Sequence, residues 1–206
     1  GLGFSPELLR GPNPLAVIPP QFAARAKNII FLFMSGGPSH VDLFDPKPKL
    51  REFAGKPLPF EKPRVQFAQT GNLLRSPWEF RKYGQSGIEV SDLFPHVGSC
   101  VDDLCVIRSM WTDVPAHEPA SKFMHTGSLQ IPKPSLGSWL VYGLGSENEN
   151  IPGFITLGGK TEYRQASFLP SLFQGVNVNY SPKMPLNQVL LNIYNQFEGP
   201  GDQRRQ

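Results

Sequence analysis

The apolar positions of this chain fall into a few dense runs separated by long polar, turn-forming stretches. Asn28-Ile-Ile-Phe-Leu-Phe-Met34 is continuous, β-branched and aromatic, and Ser35-Gly36-Gly37-Pro38 closes it. Such a run predicts a strand buried on both faces, the kind that lies centrally in a parallel sheet. Leu104–Met110 predicts a second buried strand and Gly153–Leu157 a third. Helical spacing is found elsewhere. Ser91, a good N-cap residue, precedes a stripe of Leu93, Val97, Val101 and Leu104, which predicts a helix through Asp103 with Pro95 in its first turn. Shorter helices are expected at Pro46–Phe53, around Pro119–His125, and at Ser135–Gly143, the last capped by Ser135 and stopped near Gly145. Met184–Phe197 carries another helical stripe at 186, 189, 190, 193 and 197. Residues 54–90 read as short strands and turns. This order of strands and helices predicts an α/β fold, a three-layer α/β/α sandwich around a mostly parallel sheet. Residues 1–27 are expected to be an extended N-terminal segment, because Pro6, Pro12, Pro14, Pro19 and Pro20 prevent a long helix. Residues 28–206 then form the domain proper.

Composition adjusts this picture. The chain has 206 residues, with 20 Gly and 22 Pro, about a fifth of the total and well above the ordinary share of roughly 12%. Regular elements should therefore be short and loops long. Lys+Arg 20 against Asp+Glu 17 gives a net charge of +3 with no run of five like charges, which argues against a nucleic-acid arm. The longest apolar run is far below the length needed to span a bilayer as a helix. Cys100 and Cys105 lie too far apart on a helix for a disulfide and fit no zinc knuckle; the simple expectation is two buried structural thiols. After Gly199-Pro200-Gly201, Asp202 reads as a fresh N-cap followed by only four residues. One helical turn does not stand alone, so the expectation is a piece of a longer protein.

Two loops carry the candidate chemistry, and all four histidines fall between residues 40 and 125. The first loop is Ser35-Gly-Gly-Pro-Ser-His40-Val-Asp42-Leu-Phe-Asp45, just past the first strand. Its imidazole and two carboxylates suit a divalent ion such as zinc or manganese. Capping of turns is the alternative role for Asp42 and Asp45. The second loop, Arg108-Ser-Met-Trp-Thr-Asp-Val-Pro-Ala-His117-Glu118, follows the second strand. Arg108 can neutralise an anionic group through bidentate contacts, or pair with Asp102 or Asp103. His117 is either a metal ligand, a general base near neutral pH, or a hydrogen-bonded loop residue. Neighbouring parallel strands would open both loops on one crevice, with His40 and His117 facing it. His96 and His125 sit within helices and read as structural. Gly158-Gly159-Lys160-Thr161 has the last four letters of a phosphate loop, but Phe154 stands where its first glycine is required.

On these residues the chain resembles the bacterial domain-of-unknown-function 1501 family. The likeness runs from Asn28 through Pro48 and continues in Gly84-Gln-Ser-Gly87, Asp103–Met110, His117, Thr126-Gly-Ser128 and Pro134–Asn150, covering about residues 12–200. The resemblance implies kinship with sulfatases and alkaline phosphatases, metal-dependent hydrolases on a three-layer sandwich. It implies export through the twin-arginine route, with Gly1–Phe4 similar to the tail of a leader. It also implies a protein about twice this long, whose later Asp and His metal ligands lie in a missing C-terminal half. Two departures from the sulfatase pattern stand out. Ser35-Gly36 or Gly36-Gly37 occupies the place of the Asp-Asp metal pair. His117 occupies the place of the modified nucleophilic Cys, with Pro119 and Thr126-Gly127 kept but Ala120-Ser121 replacing Ser-Arg.

The functional expectation is an exported, metal-assisted hydrolase of phosphate or sulfate esters. His40, Asp42, Asp45 and His117 would be ligands to zinc, manganese or calcium, with His117 and Arg108 acting on the anionic ester. The alternative is a non-catalytic secreted binding or structural protein on the same sandwich. A half-domain that needs a partner chain, and turns over little substrate by itself, is the third expectation.

Overall fold

Why so little regular structure forms is clear from where the prolines and glycines fall, and the elements that do form are short. The computed structural model describes residues 13–62, 69–148 and 151–191. In chain order these hold helix α1 (Pro48–Glu52), strands β1 (Phe80–Tyr83) and β2 (Ile88–Ser91), helices α2 (Pro95–Gly98), α3 (His117–Thr126) and α4 (Leu136–Leu144), and strands β3 (Ile155–Leu157) and β4 (Val176–Val178). Single 3-10 turns cover His40–Asp42, Val101–Asp103, Thr161–Tyr163 and Ser171–Phe173. Among the described residues there are two small sheets, β1 with β2 and β3 with β4. No helix there is long and apolar enough to cross a membrane. The chain divides into two compact units. Phe33–Asp113 is one; the chain up to Leu32 together with the chain from Val114 onward is the other.

In the Phe33–Asp113 unit, β1 and β2 form an antiparallel hairpin with Phe80 opposite Ser91 and Tyr83 opposite Ile88. Gly84 and Gly87 both take positive φ and close its turn. The Asp102 carboxylate accepts the backbone N–H groups of Gln85 and Ser86 at 2.9 and 2.8 Å, fixing that turn to the 3-10 turn at Val101–Asp103. Ser91 donates its N–H to the Leu43 carbonyl at 2.9 Å, which ties the first candidate loop to β2. Leu43, Val90 and Val101 are buried here, and Phe44 meets Phe94 edge to face.

The other unit packs around Val141 of α4, with Ala166, Leu169 and Phe173 buried against it and Leu15, Tyr142 and Phe154 at the margin. Hydrogen bonds from Ile18 N–H to the Leu144 carbonyl and from Ser146 N–H to the Leu15 carbonyl bind the N-terminal stretch to the end of α4. They satisfy backbone groups that a helix end leaves unpaired. Here β3 and β4 run parallel, with Ile155 opposite Val176 and Leu157 opposite Val178. A parallel pair cannot be joined by a tight turn, and residues 158–175 supply the crossover.

The helices at Pro46–Phe53, Pro119–His125 and Ser135–Gly143, and the strand at Gly153–Leu157, fall where the sequence pattern placed them, within a residue or two at most ends. Others do not. The segments Asn28–Met34 and Leu104–Met110 have no strand partner among the described residues. Most of their side chains are exposed, Ile30 at 81% and Leu32 at 84%, with Phe33 and Val106 half-buried. An apolar run makes a buried strand only where neighbours cover both faces, and here Phe31 meets the His125 ring on one edge only of a largely exposed stretch. The Ser91–Asp103 helix is broken into α2 and a 3-10 turn. Ser91 ends β2 instead, its hydroxyl accepting the Leu93 N–H at 3.3 Å, and Phe94 is the N-cap of α2. The thiols of Cys100 and Cys105 are free and exposed, not buried. Residues 186–191 are helical; the rest of that stripe, Asp202 and Gly1–Phe4 lie outside the described residues.

Candidate functional site

The loop at Ser35–Asp45 turns twice through left-handed glycines, Gly36 at φ +87 and Gly37 at φ +70. It then winds into the 3-10 turn His40–Asp42, where the His40 carbonyl accepts the N–H groups of Leu43, Phe44 and Asp45. This turn brings His40, Asp42 and Asp45 into one short stretch, and the Asp45 carboxylate is already paired. Hydrogen bonds from Ser76 and then Ser39 hold the Asp42 carboxyl below the ordinary range. Asp45 is bonded to the Lys47 ammonium at 2.6 Å. That bond, with His40 and Arg108 adding positive charge, holds its carboxyl low as well. The His40 imidazole is exposed, its Nε2 3.8 Å from Asp45 Oδ2. A metal ion implied by the sulfatase likeness needs several such donors free to converge. Asp45 instead has a lysine as its cation, and among the described residues no group of three or more His, Cys, Asp and Glu is arranged to hold an ion. Among the described residues this loop is an ion-paired turn.

Arg108 lies in the same unit. With Ser86–Glu89 and Val106–Ser109 it lines an open groove of about 590 Å³. Its charge reaches Asp45. Asp102, one of the two carboxylates offered as its alternative partner, is taken up by the β1–β2 turn.

His117 belongs to the other unit, where it is exposed as the first residue of α3. Glu118 beside it forms an ion pair with Lys160, in the loop that leaves the carboxyl end of β3. The ion pair lowers the Glu118 carboxyl and raises the Lys160 ammonium relative to their ordinary values. The same loop turns through Gly158 at φ +70 and Gly159 at φ +93. The Gly158 N–H bonds the Val178 carbonyl of β4 at 2.8 Å. At the other end of α3, His125 is buried and hydrogen-bonded through Nδ1 to the Ser121 carbonyl at 2.8 Å. Since a carbonyl only accepts, Nδ1 carries the proton. The ring stacks on Tyr163 at 3.9 Å between centroids and meets Phe31 edge-on at 5.4 Å. The structural role expected for His125 is what these contacts describe.

A family model described as protein of unknown function (DUF1501) matches residues 26–205. The chain belongs to this family. No curated protein and no solved structure matches it.

Within this DUF1501 chain the structure pairs two residues that spacing did not join, Glu118 and Lys160. They lie 42 positions apart, and only the return of the chain through β3 joins them. The available signal was Lys160 itself, three residues past a short apolar strand and directly after two glycines.

Proposed function

We propose that this chain binds an anionic phosphate or sulfate ester at the carboxyl end of β3. His117 is the group that exchanges a proton with, or attacks, the ester, and Lys160, exchanging its Glu118 partner for the ester, offsets its charge. The observation that carries this reading is the Glu118–Lys160 ion pair. It joins the His117 end of α3 to the loop leaving a parallel strand, and open α/β sheets take ligands at the carboxyl ends of their strands. The wider reading, a three-layer α/β/α sandwich of sulfatase and alkaline-phosphatase type, goes beyond the one parallel strand pair among the described residues. Export belongs to the same reading.

Calorimetric titration of phenyl phosphate and phenyl sulfate into the protein tests it. Saturable binding that weakens at least tenfold in both His117→Ala and Lys160→Ala is expected. Binding that is absent, or unchanged in both variants, overturns the reading. Catalysis adds a further expectation for any turnover of an aryl ester, a loss of about 100-fold or more in His117→Ala.

The second reading, a non-catalytic binding or structural protein, is favoured by the first loop. There Lys47 pairs with Asp45 as it would in a purely structural turn. It predicts unaltered stability in excess zinc, manganese or calcium.

A further inference from the structure

We infer that Arg164 anchors an oxyanion-binding site on the crossover between β3 and β4. Its Nε is buried with no hydrogen-bond partner, and no described residue forms an ion pair with it. A buried guanidinium N–H without a partner suffers its full desolvation penalty with nothing to offset it, so native structures rarely keep one unless water, an ion or a ligand supplies the acceptor. The backbone holds Arg164 in place from both sides. Its N–H bonds the Thr161 carbonyl at 3.1 Å and its own carbonyl accepts the Gly175 N–H at 2.8 Å. A Cβ on Gly175 would lie 2.6 Å from the Phe154 ring and 2.9 Å from the Arg164 Cβ. The start of the stem is therefore packed beside Gly175 and the Phe154 ring, which holds the buried Nε in place, while the residue as a whole is half-buried.

The surrounding charges do not neutralise it. Glu118 is taken by Lys160, and Glu162, two residues before Arg164, is not its partner. On the crossover Arg164 and Glu162 thus stand without an ion pair between them. A guanidinium presents its N–H groups as a planar fork, and the ligand that matches it offers two oxygens side by side, as phosphate and sulfate do. This site goes beyond the ester-binding reading, because it needs no catalysis and stands if His117 proves inert.

Inorganic phosphate is the probe, with sodium chloride at matched ionic strength as the control for general salt effects. In thermal melts of the whole chain, wild type should gain Tm saturably with phosphate. Arg164→Met should lose that gain while melting at or above the wild-type Tm in phosphate-free buffer, because it removes the orphaned donor and keeps the stem. Arg164→Lys should retain part of the response. Three results would overturn the site: no phosphate response in wild type, an equal response in Arg164→Met, or an Arg164→Met protein that melts well below wild type without phosphate. The last would mean that the guanidinium already has an acceptor within the protein.

Discussion

The Asp102 carboxylate occupies the space into which a side chain on Gly84 would project, and a Cβ built there would fall on the carboxylate itself. Gly84 also sits at φ +59, in the left-handed region where side chains are disfavoured. Position 84 is thus closed twice over, by backbone conformation and by the group that holds the turn. Gly84→Ala is expected to destabilise the protein by roughly 1–3 kcal/mol. Denaturant unfolding measures it, and a wild-type midpoint would show that the turn is not latched this way.

Acid should unfasten the same latch. Backbone N–H groups of Ser86 and Gln85 hold the Asp102 carboxyl below its ordinary value. Ser76 and Ser39 do so for Asp42, and Lys47 for Asp45. A carboxyl whose folded pKa is depressed adds stability that is fully present above its unfolded pKa, about 4, and is lost as pH falls through the folded value. Tm should therefore hold from neutrality down to about pH 4 and fall below it. Asp102→Asn, which keeps one acceptor oxygen and loses the charge, should start lower and fall less steeply. Parallel profiles for the two proteins would contradict the assignment.

The two glycines of α4 should respond to alanine in opposite directions. A Cβ on Gly143 meets nothing within 4 Å, whereas one on Gly137 would strike the Phe154 ring. Gly143→Ala should stabilise by up to about 1 kcal/mol, the ordinary helix preference. Gly137→Ala should destabilise by about 1–3 kcal/mol, since the ring beside the core has to shift. Thermal or denaturant unfolding decides it, and the sign of the difference is the test.

Lys47 serves as the cation of Asp45. Lys47→Met should raise the Asp45 carboxyl toward its ordinary value, read by carbon NMR of the side-chain carboxyl across a pH titration. An unmoved titration would mean that the pairing does not control this carboxylate.

What the sequence revealed and what it concealed divides along physical lines. Helix α4 was legible because Ser135 and Gly145 bracket an apolar stretch, and β3 because Ile155-Thr-Leu157 runs straight into two glycines. Strand β4 was not, since Val176-Asn-Val178 is too short to carry a period. Asn28–Met34 and Leu104–Met110 show the limit of apolar runs as evidence. Hydrophobicity states what a segment needs, while burial depends on neighbours that the run itself does not name. The candidate loops were legible as clusters of His and Asp, but not the partners that engage those groups. Lys47 pairs with Asp45 from two residues away, and Lys160 on Glu118 comes from a loop 42 residues away. His40 and His117, expected at one crevice, belong to different units of the chain.

The ester-binding reading is tested most directly at the His117 ring. Proton–carbon NMR of the imidazoles, followed while phenyl phosphate is added, resolves the four histidines one by one. The account predicts a saturable shift of the His117 ring resonances, small in Lys160→Ala, while the exposed His96 ring stays unmoved. A His117 signal that does not move, or one that merely follows His96, would contradict it.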